Sequence, residues 1–136
     1  MTDARKPGTP FQRSLGLDWR RTDDPGSLSV RMDLRPELCG PAGSLEGGVI
    51  CTLADVARAS ACAMAMGTHL VATEHMAISF LAPGRIGPIC ATGSVLRTGA
   101  IDGVAEVRIV DQGRDGRLVA VSLVTVRDLS SRTPTS

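Results

Sequence analysis

Between residues 27 and 35 apolar and polar side chains alternate: Leu28, Val30, Met32 and Leu34 on one side, Ser29, Arg31, Asp33 and Arg35 on the other. A period of two marks a strand with one buried face, so the spacing predicts a strand over Ser27 to Arg35. Pro36, Gly40, Pro41 and Gly43 follow and break regular structure. From Gly47 the alternation stops. The run 47–66, GGVICTLADVARASACAMAM, is small, apolar and Ala-rich, and Gly67 follows as a C-terminal stop. A helix apolar nearly all round belongs at the centre of a fold. It is long enough to cross a bilayer. Asp55 and Arg58 would each cost about 3 kcal/mol there, so no membrane span is expected.

Four strand-like runs come next: Leu70 to Leu81, Ile89 to Arg97, Val104 to Asp111 and Arg117 to Arg127. In the first, Met76, Ile78 and Phe80 take one face, and Thr73, His75, Ala77 and Ser79 the other. Pro83-Gly84 and Gly87-Pro88 separate the first two runs. Asp102-Gly103 and Asp115-Gly116 signal tight hairpins. A further short strand fits Leu15 to Trp19. The expected class is α+β: one long buried central helix wrapped by an antiparallel sheet of five to six strands, the last four in meander. Residues 1–10 read as a flexible N-terminal arm, 11–128 as a single domain and 129–136 as a flexible tail.

Composition narrows the function. A chain of 136 residues fits one domain with its own core. Fifteen basic residues against fourteen acidic give a net charge of +1, with two Phe, one Trp and no Tyr. No basic stripe and few stacking platforms argue against a nucleic-acid partner. Cys39, Cys51, Cys62 and Cys90 form no CxxC pair, and His69 and His75 do not stand at ligand spacing with them. No metal is expected, and the cysteines read as small apolar side chains. No basic-plus-apolar leader opens the chain, so the expected compartment is the cytoplasm.

Two features carry chemistry. Gly47 and Gly48 open the long helix, where the first backbone N–H groups lack intrahelical partners and the dipole is positive. Glycine lets a ligand oxygen approach those amides closely, as an oxyanion hole requires. Asp55 is a carboxylate on an otherwise apolar helix, which needs a partner or a task. Arg58, three residues on, offers the structural alternative of an ion pair. Asp55 falls on nearly the same face as Gly48, about 10 Å further along the axis. One substrate carbonyl is not easily served by both from one helix. An antiparallel copy would bring Asp55 of one subunit opposite Gly47 and Gly48 of another, so a homo-oligomer with a shared site is expected.

The segment Gly43-Ser44-Leu45-Glu46-Gly47-Gly48-Val49-Ile50, followed by Leu53-Ala54-Asp55, resembles the start of the central helix in the PaaI-like acyl-CoA thioesterases of the hot-dog fold. Met76 to Pro83, Arg97-Thr98-Gly99 and Gly116 to Ala120 resemble later pieces of the same family, and the likeness runs over about residues 14 to 127. It implies a hot-dog homodimer or homotetramer that hydrolyses acyl-CoA. Asp55 would be general base or nucleophile, Gly47 and Gly48 the oxyanion hole, and Thr73 a hydroxyl near the carboxylate. Glu46, Arg58, Arg97 and Gly99 are the expected substrate contacts. Arg85 and Arg114 read as surface arginines, and His75 as a strand residue. No cofactor is implied, because CoA leaves readily as a thiolate. Two positions depart from the pattern: Glu46 stands where the family usually has His, and Gly40 where it often has Asn or another polar residue. A carboxylate aimed at the hole would oppose the developing charge. A non-catalytic acyl-CoA-binding or sensor protein is therefore the rival reading, ahead of a hot-dog hydratase.

Overall fold

The computed structural model describes residues 8–68 and 70–130. Most of the expected arm (1–7), His69 and most of the expected tail (131–136) lie outside the described residues. Pro10–Ser14 forms a short helix, α1, that the hydrophobic pattern did not predict; a capping box between Thr9 and Gln12 starts it. Strands β1 (Asp18–Arg21) and β2 (Ser27–Met32) follow, then the long helix α2 (Gly47–Met66). Strands β3 (Val71–Phe80), β4 (Ile89–Thr98), β5 (Asp102–Asp111) and β6 (Arg117–Asp128) complete one antiparallel six-stranded sheet. One helix against one curved antiparallel sheet is the expected α+β hot-dog architecture.

The strand order corrects the expected meander. It is β1-β2-β4-β5-β6-β3, so of the last four strands only β4, β5 and β6 follow one another as neighbours, and β3 joins the far side of β6. The two Gly-containing turns at 99–101 and 112–116 close tight hairpins, with Asp102-Gly103 itself opening β5. The segment 81–88 does not, because its two Pro/Gly pairs make a crossover that spans the sheet. Asp111, fully buried at the end of β5, fixes that crossover by accepting N–H bonds from Arg85, Ile86 and Gly87 at 2.8 to 3.0 Å. β3 is left at the sheet edge, paired only with β6 among the described residues.

α2 buries one face: Ile50, Leu53, Ala54, Val56, Ala57, Ala61 and Cys62 lie against the sheet, with Arg58 among them. Ile50 to Ala57 meet Val30, Met32, Ile89, Val107, Ile109 and Val124, all at 0% exposure, and Cys62 packs with Ala105 and Val126. Full burial of such side chains contributes about 1.5–3 kcal/mol each. This is the core helix of the domain, although its length and apolarity alone would suit a membrane. Gly93 of β4 lets it come so close: an added Cβ would lie 2.5 Å from the Ala57 carbonyl oxygen. Gly67, left-handed at φ 66°, ends the helix as the sequence predicts.

Candidate active site

Asp55 sits on the half-buried flank of α2, with its side chain 44% exposed. Its Oδ1 accepts the hydroxyl of Thr73 at 2.5 Å and a bond from Arg58 Nη2. The same Nη2 donates to Thr73 Oγ1, which closes a three-membered cluster. Oδ2 has no protein partner among the described residues, so one oxygen is held and the other is open. A carboxylate arranged this way can take a proton from water or attack a carbonyl through Oδ2.

Strict alternation places Thr73 opposite Met76 and Ile78. The structure places all three on the helix side, and a β-bulge is the reason. Thr73 pairs with Val126 and His75 with Thr125, leaving Glu74 as the extra residue. After the slip, Met76 and Ile78 pack on the core while His75 is exposed. Thr73 and His75 therefore do not share a face, contrary to the alternation. Glu74 pairs instead with Arg127 at 3.2 Å.

At the helix start, the Glu46 carbonyl accepts the N–H groups of Val49 and Ile50. The Gly47 and Gly48 N–H groups have no acceptor among the described residues, and both glycines are exposed. Phe80, at the end of β3, lies beside Gly47; a Cβ there would meet the ring at 3.5 Å. Phe80, Leu45, Gly47, Ile50 and Pro83 line a cleft of about 420 Å³ at the Gly47 end of the helix. The sequence singled out the glycines but not Phe80, whose packing depends on the strand crossing that brings it there.

Glu46 is the N-cap residue, yet its side chain caps nothing. It is turned over Gly40 instead, with Cγ 3.6 Å from where a Cβ on Gly40 would stand. The two departures from the family pattern are thus one local arrangement. Arg58, expected as a substrate contact, is 1% exposed and directed to Asp55 and Thr73, where a phosphate in solvent cannot reach it. Arg97 and Gly99 lie at the β4–β5 turn, near the Met66 end of α2, so one chain does not bring them to Gly47. Arg97 is exposed and stands 3.5 Å from Asp102. Arg85 and Arg114 are not gathered at Asp55. Among the described residues no three His, Cys, Asp or Glu side chains are grouped to hold a metal, and all four cysteines are free.

A family model described as the thioesterase superfamily matches residues 42–118. A Halobacterium salinarum protein named as a candidate esterase is 35% identical over 102 residues, covering 71% of this chain and 66% of that one. The chain thus spans about two-thirds of that relative's length. Among solved structures, the E. coli PaaI protein of the phenylacetic acid degradation operon superposes with a TM-score of 0.81 at 28% identity, over 90% of this chain and 86% of its own. AziG of S. sahachiroi does so with a TM-score of 0.78 at 30% identity, over 89% and 97%.

Proposed function

The chain belongs to the thioesterase superfamily, and we propose that it hydrolyses acyl-CoA or a related acyl thioester to the free acid and the thiol. The observation that carries this reading is Asp55. It is the carboxylate on the core helix, with one oxygen bonded to Thr73 and Arg58 and the other open, two helical turns from two unpaired amides.

In the proposed reaction, water is deprotonated by Asp55 Oδ2 as its oxygen bonds the thioester carbon, or Oδ2 itself attacks and the resulting anhydride is hydrolysed. The carbonyl oxygen becomes an oxyanion held by the Gly47 and Gly48 N–H groups. The C–S bond then breaks, and the sulfur leaves as a thiolate. Thr73 orients Asp55, since its proton is already committed to Oδ1. No step requires a metal or cofactor.

Two chains build the site in this reading. Asp55 meets β3 at Thr73, whereas Gly47 meets it at Phe80. The free edge of β3 offers unpaired backbone groups for a second copy. Antiparallel self-pairing along its length sets Val71 of one chain near Phe80 of the other. The Asp55 end of one helix then lies beside the Gly47 end of its neighbour. The same operation carries Arg97 and Gly99 toward the partner's helix start, where they would meet the CoA portion, with Glu46 at the rim. The proposed setting is a cytoplasmic dimer or tetramer.

The test is hydrolysis of a panel of short, medium, long and aromatic acyl-CoAs, read as free thiol. Release from at least one class is expected. Binding of acyl-CoA without turnover of any class overturns the hydrolase in favour of a sensor.

A further inference from the structure

Arg58 is the largest fully buried side chain among the described residues. A guanidinium in an apolar interior is costly unless its donors are met. Here Nη2 serves both Asp55 Oδ1 and Thr73 Oγ1, while Nε and Nη1 have no partner among the described residues. An ion pair built for stability would use the guanidinium fork bidentately. This one spends a single nitrogen on two acceptors and leaves the rest idle. Cys62, one turn on, supplies no counter-charge. Burial pushes its thiol above the ordinary value, and the nearby Arg58 charge offsets this only in part. Stability does not account for Arg58, because replacing a buried ion pair by apolar atoms is commonly neutral or favourable. Asp55 would not be stranded by such a change, since it is 44% exposed.

The arrangement makes sense at the reactive carboxylate. With Arg58 donating to Thr73 Oγ1, the Thr73 proton is directed to Asp55 Oδ1. Both bonds then converge on Oδ1, and Oδ2 alone is left for the reaction. We propose that Arg58 is a positioning residue that locks Asp55 and Thr73 into the reactive arrangement from beneath. This rests on the reading of Asp55 as base or nucleophile.

The experiment compares Arg58→Met, Arg58→Lys, Asp55→Asn and the Arg58→Met/Asp55→Asn double variant on the best acyl-CoA substrate, with thermal unfolding followed in parallel. Misplacing a reacting group by about 1 Å costs about 100-fold. A fall in kcat of about 10- to 100-fold is therefore expected for Arg58→Met, with KM within about threefold and the unfolding midpoint unchanged or raised. Arg58→Lys recovers part of kcat, because one ammonium reaches Asp55 without bridging to Thr73. Adding Arg58→Met to Asp55→Asn causes no further loss, as expected for residues acting as one unit. A raised KM at unchanged kcat, or an undiminished loss in the Asp55→Asn background, overturns the proposal. If Arg58→Met does not fold, Arg58→Lys decides: full wild-type kcat overturns the proposal, and a partial loss at unchanged KM supports it. Loss in Asp55→Asn but not in either Arg58 variant removes the clamp and leaves the function standing. Full activity of Asp55→Asn removes both.

Discussion

Glu46 lies over Gly40: a Cβ on Gly40 would stand 3.6 Å from Glu46 Cγ and 3.8 Å from Oε1. A side chain at 40 would thus make an ordinary contact with the carboxylate at 46, so the two positions are neighbours in space. Glu46 also makes no side-chain bond to the helix it precedes. Its charge sits on the exposed side of the loop, where water screens it, and screened exposed charges have small effects. Glu46→Gln should thus leave kcat/KM within about threefold of wild type. A rise above tenfold would place the carboxylate against the oxyanion. A fall of about 100-fold or more, the scale of a lost acid or base, would make Glu46 part of the chemistry and displace Asp55 as its sole carboxylate.

Asp55→Asn keeps the shape of the side chain and removes the base. Loss of a positioned general base costs about 10² to 10⁴-fold. That loss is expected in kcat, with acyl-CoA affinity, read by calorimetry, little changed. Near-full turnover would reduce Asp55 to the ion-pair partner of Arg58.

The legible part of this protein followed from period and punctuation. The strict alternation around Leu28 to Leu34 gave β2, and the Ala-rich run closed by Gly67 gave α2 almost to the residue. What was not legible depended on pairing between distant segments. A bulge such as that at Glu74 is set by register against β6, and nothing in the local pattern Val71 to Phe80 announces it. Alternation alone therefore sent Thr73 to the wrong face, although the family resemblance put it near the carboxylate. Arg58 shows a different limit. Its spacing from Asp55 was visible, but whether it faced solvent or the sheet depended on which flank of an almost uniformly apolar helix was covered. The place of β3 at the sheet edge was hidden for a similar reason: Pro and Gly signal that a chain turns, not how far it travels.

If the site is shared, two inactive variants should complement each other. Gly47→Pro deletes one N–H at the first helical position, where proline is favoured, and Glu46 before it is already extended at φ −63°, ψ 141°. Losing one oxyanion donor costs about 10² to 10³-fold. Mixing Gly47→Pro with Asp55→Asn under subunit exchange gives mixed dimers with one site built wholly from intact parts. Random pairing then restores about a quarter of wild-type activity in a symmetric dimer. No recovery, with exchange verified by mass spectrometry, would place the whole site within one chain.

Asp111 links stability to the site. Its Oδ2 accepts the N–H groups of Arg85 and Ile86 at 2.9 and 3.0 Å, and its Oδ1 those of Gly87 and Gly113 at 2.8 and 3.1 Å. Burial alone would raise this carboxyl, but the four backbone donors outweigh it and hold it below its ordinary value. A group lowered on folding stabilises fully above its unfolded value, and the stabilisation is lost as pH falls through the lower folded value. The Asp111 contribution is therefore complete above the ordinary 3.8, begins to fall below it, and is lost once pH passes the lower folded value. Asp111→Asn keeps one acceptor oxygen and turns an NH₂ toward two backbone donors. At neutral pH it should cost about 1–3 kcal/mol for each N–H left unmet, measured by urea unfolding, and its stability should fall less steeply than wild type on acidification below about pH 4. The effect should reach the helix start as well. The crossover that Asp111 holds includes Gly84, whose carbonyl accepts the Leu45 N–H at 2.9 Å, two residues before Gly47. A lower kcat in the still-folded variant is the expected sign of that connection. A variant as stable as wild type at pH 7, with the same acid dependence, would show that other groups hold the crossover.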